Sequence, residues 1–176
     1  MKIGSRSDFV QKASVVLIPE RDGQEAVMVQ INSVPFGFDQ QIEEELPSPK
    51  PPLKVMRDPV TGKSIPVKGK PGVFVTVPDK EDEEFQREER IITRLQAAMT
   101  FYHGTKCDGG ITWEVDPAQL SGRKFYEGVA AELKQSGIPF GAVSKVAVQV
   151  MRISGVDSAR IKEVEKVFLE QEESGE

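Results

Sequence analysis

The sequence predicts an α+β protein: a small β-hairpin unit at the amino end, a Pro-rich basic arm, and a carboxy-terminal bundle of about four helices. Three observations carry this. Apolar β-branched residues alternate with others up to Ile31. Eight of the twelve prolines fall between residues 47 and 79. From residue 80 onward apolar side chains recur at three- and four-residue spacings. The division is therefore a β-rich unit over 1–46, an arm or loop over 47–79, and a helical domain with an acidic tail over 80–176. A chain of 176 residues buries a core without disulfides or a structural metal.

Val15-Val16-Leu17-Ile18 is a short strand that ends at Pro19. Asp22-Gly23 is a turn dipeptide, and Val27, Val29 and Ile31 then alternate with Met28 and Gln30, as in a strand with one buried face. Asp39 caps a short helix carried by Ile42 and Leu46, and Pro47 ends it. Helix is excluded across most of 47–79, because each proline lacks an N–H and clashes with the preceding turn. Within it, Val55–Arg57 and Ser64–Val67 flank a turn at 58–63, and Val73, Val75 and Val77 suggest an edge strand. This segment holds six basic residues against Asp58 and Asp79, a local excess of four positive charges.

The first long helix is expected over 80–102, with an acidic opening that suits the helix dipole. Phe85, Ile92, Leu95, Met99 and Tyr102 form its apolar stripe, and Gly104 is expected to stop it. Asp116-Pro117 is expected to open the next helix, lined by Phe125, Val129 and Leu133 and ended by Gly137 in a left-handed cap. Phe140, Val143, Val146, Ala147, Val150 and Ile153 carry the next helix to Gly155. Asp157 caps a last one, carried by Ile161, Val164 and Phe168.

Composition narrows the function. The chain has 23 basic and 28 acidic residues, a net charge of -5, which argues against generic binding to nucleic acid or an anionic membrane. One cysteine, Cys107, excludes an internal disulfide or a Cys-pair zinc site, and one histidine, His103, excludes a site built on several histidines. No apolar run reaches the ~18 residues of a membrane span, and no signal peptide is legible at the amino terminus. The expectation is a cytoplasmic, non-secreted protein with no cofactor, no metal and no catalytic residue.

The candidate chemistries are thin. His103, Cys107 and Asp108 lie in one short stretch, but a thiol nucleophile also needs an oxyanion site, and a metal needs further ligands. Gly69-Lys70-Pro71-Gly72 and Gly109-Gly110 fit turns better than phosphate loops. The acidic runs at 43–45, 81–84 and 170–173 read as solvated faces or dipole partners. The basic Pro-rich segment admits three readings: contact with an acidic protein surface (another copy included), a solvated linker, or phosphate binding. Phe74 is its single aromatic, so base stacking is poorly supplied. Trp113 reads as packing against a helix. The stripe Phe125, Val129, Leu133, Phe140, Val143, Val146, Val150 and Ile153 has the composition of a core and equally of a groove for a partner helix.

One resemblance emerges from the helical half. Phe125-Tyr126-x-x-Val129-x-x-Glu132-Leu133 leads through Gly137 into Val143-x-x-Val146-x-x-x-Val150-Met151-Arg152-Ile153-Ser154-Gly155-Val156, followed by the stretch Ile161 to Phe168. Over roughly residues 80–172, about half the chain, this resembles the tail assembly chaperones of long-tailed, siphovirus-like bacteriophages. Those are small, acidic, mostly helical proteins. The resemblance implies a non-enzymatic chaperone that coats the tape-measure protein until tail tube subunits polymerise around it, with the eight stripe residues as its partner-binding set. It also implies a longer, frameshifted form in many members. The strand-rich start and the Pro-rich segment fall outside the pattern. The leading alternative is a structural virion or connector protein that uses the Pro-rich arm for subunit contacts. A small enzyme, a regulator and a nucleic-acid binder are the remaining classes.

Overall fold

A computed structural model describes residues 10–18 and 25–155. The turn expected at Asp22-Gly23, the last helix expected over 157–168 and the acidic tail lie outside the described residues. The described chain is α+β, with a two-stranded hairpin, a second small strand pair and four helices. It falls into two compact units. One takes the chain up to Pro47 and again from Thr93; the other is Ser48–Ile92. The amino-terminal strands therefore share a unit with the carboxy-terminal helices.

In the first unit, β1 (Lys12–Ile18) pairs antiparallel with β2 (Val27–Asn32). The register sets Ala13 opposite Ile31 and Val15 opposite Val29, and it shifts between Val16 and Ile18. Leu17, Val29 and Ile31 are buried and Val16 and Met28 exposed, so the hairpin has one buried face, but Val27, expected on that face, is corrected: at the start of the strand it is exposed. Helix α1 (Phe38–Glu45) follows a left-handed Gly37, and Asp39 sits in its first turn instead of capping it. Phe38, Ile42 and Leu46 are buried.

Helix α2 (Glu83–Thr105) begins in the second unit and ends in the first. Asp82 caps it, its carboxylate accepting the Phe85 N–H at 2.8 Å. The expected stop at Gly104 is corrected: the helix runs through it to Thr105. A Cβ on Gly104 would collide with the Val150 side chain, so the missing side chain is there for packing and not for termination. Thr105 closes the helix, its buried hydroxyl donating to the Phe101 carbonyl at 2.8 Å.

Helix α3 (Gly122–Gln135) starts later than expected. Asp116-Pro117 opens only a turn, in which the Asp116 carboxylate accepts the Ala118 N–H at 2.8 Å. Gly137 ends α3 as expected, with φ 70° and its N–H donating to the Lys134 carbonyl at 3.1 Å. Helix α4 (Phe140–Ile153) packs against both β1 and β2. Val143, Val146, Ala147, Val150 and Met151 bury one stripe, and Ser144 and Val148 widen it. A helix buried over so much of its circumference is the centre of its unit.

The second unit holds β3 (Leu53–Val55), paired antiparallel with β4 (Thr76–Pro78). The segment 64–67 joins both. Arg57 bridges Ser64, and Pro66 bridges Phe74. The Ile65 N–H donates to Met56 at 3.0 Å, Val75 to Ile65 at 2.9 Å, and Met56 to Val75 at 2.8 Å. Three short segments thus pair in a ring, where an arm or loop was the expectation. Proline is compatible with this because the donating neighbours are Ile65 and Val67, on either side of Pro66. Lys54 lies 2.8 Å from Asp79 and 3.2 Å from Glu81, an exposed cluster that raises the lysine pKa and lowers that of Asp79.

Gly104→Ala is expected to lower stability by about 1–3 kcal/mol through overpacking. The loss should be clearly smaller in a Val150→Ala background, as read from urea denaturation midpoints.

Candidate functional site

The eight stripe residues do not form one surface. Val129, Val146 and Val150 are fully buried, and Phe125 lies edge-on to Tyr102 at 5.0 Å inside the core. Ile153 is half-buried at the end of α4. The remaining three, Leu133, Phe140 and Val143, come together at one groove of about 460 Å³. That volume lies in the lower half of the range of ligand sites.

Local structure explains the groove. The left-handed Gly137 turns the chain sharply after α3, so that Ile138 and Phe140 follow Leu133 into the same wall. Ala98 on α2 and Ala130 on α3 are small, which leaves space that larger residues would fill. Arg94 and Lys134 also line it. Both are exposed and make no ion pair among the described residues. The Arg94 guanidinium lies over the Phe140 ring, 5.6 Å from its centroid. The site is an apolar floor with two cations beside it. It offers affinity for an apolar side chain and a preference for neighbouring carboxylates. Sequence reasoning missed Arg94, Ala98, Ala130, Lys134 and Ile138. The signal that was present is the pair Arg94 and Ala98, four apart on α2 and so on one face.

Two polar clusters hold the surrounding helices. The Glu132 carboxylate accepts the Glu114 N–H at 3.0 Å and the Val115 N–H at 3.1 Å. It thereby clamps the loop after Trp113, whose ring packs at 5.9 Å from Phe101 and 5.3 Å from Tyr102. The Ser154 hydroxyl accepts the Val34 N–H at 2.9 Å and donates to the Val150 carbonyl at 2.5 Å. The Ser-Gly step at the end of α4 therefore ties that helix to the segment leaving β2.

His103 and Cys107 do not face each other's chemistry. His103 Nε2 lies 3.1 Å from the Tyr126 hydroxyl, while the Cys107 thiol points at the Gln30 carbonyl at 3.4 Å. Burial lowers the His103 pKa below 6.5, against the opposing pull of Glu45 and with help from Lys106. Burial, reinforced by Glu45, holds the Tyr126 phenol protonated throughout the physiological range. A neutral imidazole and a protonated phenol therefore share one hydrogen bond, whose direction follows the imidazole tautomer. Among the described residues, no three His, Cys, Asp or Glu side chains converge as metal ligands, and no helix is long and apolar enough to cross a membrane.

The chain matches no family model, no curated protein and no solved structure.

The unfolded chain binds the His103 proton near pH 6.5, and the folded chain only at lower pH. Stability is therefore full above pH 6.5 and declines as pH falls through the window below it. Denaturation midpoints at several pH values should show this slope, and His103→Gln should flatten it. Tyr126→Phe should cost about 1 kcal/mol at neutral pH, since it removes the partner of a half-buried imidazole. Glu132→Ala should speed amide exchange at Glu114 and Val115 selectively, as read by hydrogen–deuterium exchange.

Proposed function

We propose that the chain is a non-enzymatic phage tail assembly chaperone, which holds a helical client by seating one of the client's apolar side chains in the groove lined by Ile138 and Phe140 over the buried Leu133 and Val143. The observation that carries this reading is the groove itself, an apolar floor beside two cations without ion pairs among the described residues. A client helix with an apolar residue and carboxylates one turn away matches that chemistry. The tape-measure protein is the client that the helical resemblance points to, and the tail tube protein is the partner that follows it. The net charge of -5 keeps such a complex soluble. The work is done in the cytoplasm of the host cell.

Co-expression with the longest helical reading frame of the same genome tests this. Soluble yield of the client should rise, and the two chains should co-purify. Arg94→Glu/Lys134→Glu should weaken binding about tenfold or more, equivalent to ~1.4 kcal/mol, without moving the melting temperature of the chain alone. Ile138→Asp should act in the same direction. Val143→Asp should unfold the protein, because that residue is only 1% exposed. A client that stays insoluble beside a folded chain overturns the reading.

A connector role is the second reading. The exposed Leu53, Val55 and Phe74 of the unit Ser48–Ile92 favour it, since they suit permanent contacts between subunits. Mass spectrometry of purified particles separates the two: a chaperone is absent, and a connector is present in fixed copy number.

A further inference from the structure

The unit Ser48–Ile92 carries two features that the groove on α3 and α4 does not use. The first is the turn at 58–63. The Asp58 carboxylate accepts the Val60 N–H at 3.0 Å, the Thr61 N–H at 2.7 Å and the Thr61 hydroxyl at 3.0 Å. The Asp58 N–H donates to the Lys63 carbonyl at 2.8 Å, and the Gly62 N–H to the Asp58 carbonyl at 2.9 Å. Five hydrogen bonds thus fix a six-residue turn, and at its tip Val60 is 90% exposed. Arg57 and Lys63 stand at its base, exposed and without an ion pair among the described residues. An apolar side chain held out on a rigid turn pays little ordering entropy when it binds.

The second feature is a groove of about 610 Å³ at the start of α2. Pro49, Pro52, Phe85 and Ile91 give it apolar walls. Asp82, Glu84 and Glu88 line it with carboxylates, against Lys50 and Arg87. The wider charge follows the same division. Residues 81–89 hold six carboxylates against Arg87, and residues 50–70 hold six cations against Asp58. Every copy of the chain carries both the cationic apolar turn and the acidic apolar groove.

We infer that the turn at 58–63 of one copy docks in the acid-lined groove of a second copy, with Val60 against the apolar walls and Arg57 and Lys63 against the carboxylates. The contact is heterologous, so repetition makes chains or rings and not a closed symmetric dimer. One apolar anchor and a few ion pairs place it in the weak, salt-sensitive class. A nucleic acid on the cationic turn is disfavoured by the lack of stacking partners, since Phe74 is the single aromatic of 47–79. The inference does not rest on the chaperone reading, whose groove lies in the other unit.

Sedimentation velocity on the full chain, from about 10 µM to about 1 mM, tests it. The average mass should rise with concentration and fall with added salt. Val60→Asp changes an exposed residue and should leave the circular dichroism spectrum intact. It should move the association to at least tenfold higher concentration. Arg57→Glu/Lys63→Glu should remove the docking turn and keep the groove. Glu84→Lys/Ile91→Lys should do the reverse. Each variant alone should be monomeric, and an equimolar mixture should give a dimer that grows no further, because one intact turn meets one intact groove. That dimer also shows that both variants are folded. A wild-type chain that stays monomeric at the highest concentration overturns the inference. So does a mixture that stays monomeric where the wild type associates. Association that nuclease treatment abolishes assigns the turn to nucleic acid instead.

Discussion

The close approach of α2 to α4 at Gly104 is the constraint on which the first unit depends. Val150 occupies the space where any larger residue on α2 would place its Cβ. The apolar stripe of α2, including Leu95, Met99 and Tyr102, is buried, and α4 is itself buried around most of its girth. Both strands of the hairpin also pack on α4, and Leu17, Val29 and Ile31 are their buried residues. Helix propensity contributes little to such a centre. Valine is a modest helix former, and α4 contains four of them. Burial of the stripe outweighs that preference, since each buried valine or leucine side chain is worth about 1.5–3 kcal/mol.

Polar groups then fix orientation within that packing. Ser154 ties α4 to the exit of β2, Glu132 ties α3 to the Trp113 loop, and His103 ties α2 to Tyr126 of α3. Each joins segments at least 17 residues apart in the chain. Apolar contacts are non-directional, so they allow a helix to rotate or slide a little. These hydrogen bonds are directional, and at partly buried sites each opposes such movement by about 0.5–1.5 kcal/mol. The groove inherits its shape from the result. Its walls come from three helices whose rotations are set elsewhere.

The second unit is built on a different balance. Phe85 and Ile92 are its buried apolar residues, while Leu53, Val55, Met56, Val60, Val73 and Phe74 remain exposed. Its order comes from paired backbone and from side chains that satisfy turns, such as Asp58. An apolar surface left open on a hydrogen-bonded frame suits contact with other proteins. Both proposed contacts use the same physics, an apolar anchor guided by charge, with opposite arrangement. The groove beside Arg94 and Lys134 favours an acidic client, and the groove beside Asp82 and Glu84 favours a cationic turn.

Local pattern determined much of the fold. Alternation along β2, the stripe of α2 from Phe85 to Tyr102, and the left-handed stop of α3 at Gly137 are all legible in order along the chain, and the structure has them. Each depends on residues within a few positions of one another. Gly104 and Asp116-Pro117 misled because a glycine or an Asp-Pro pair has a local meaning that a distant neighbour can cancel. Val150, 46 positions away, requires the small residue on a continuing helix. The division of the stripe was likewise beyond local reading. Val129, Val143 and Val150 became core, while Phe140 stays half-buried on a groove floored by Leu133 and Val143, although all five are apolar residues at helical spacing. Only the tertiary structure decided between them, because exposure of a helical face is set by what packs against it, and the small Ala98 and Ala130 that leave the groove open come from two different helices.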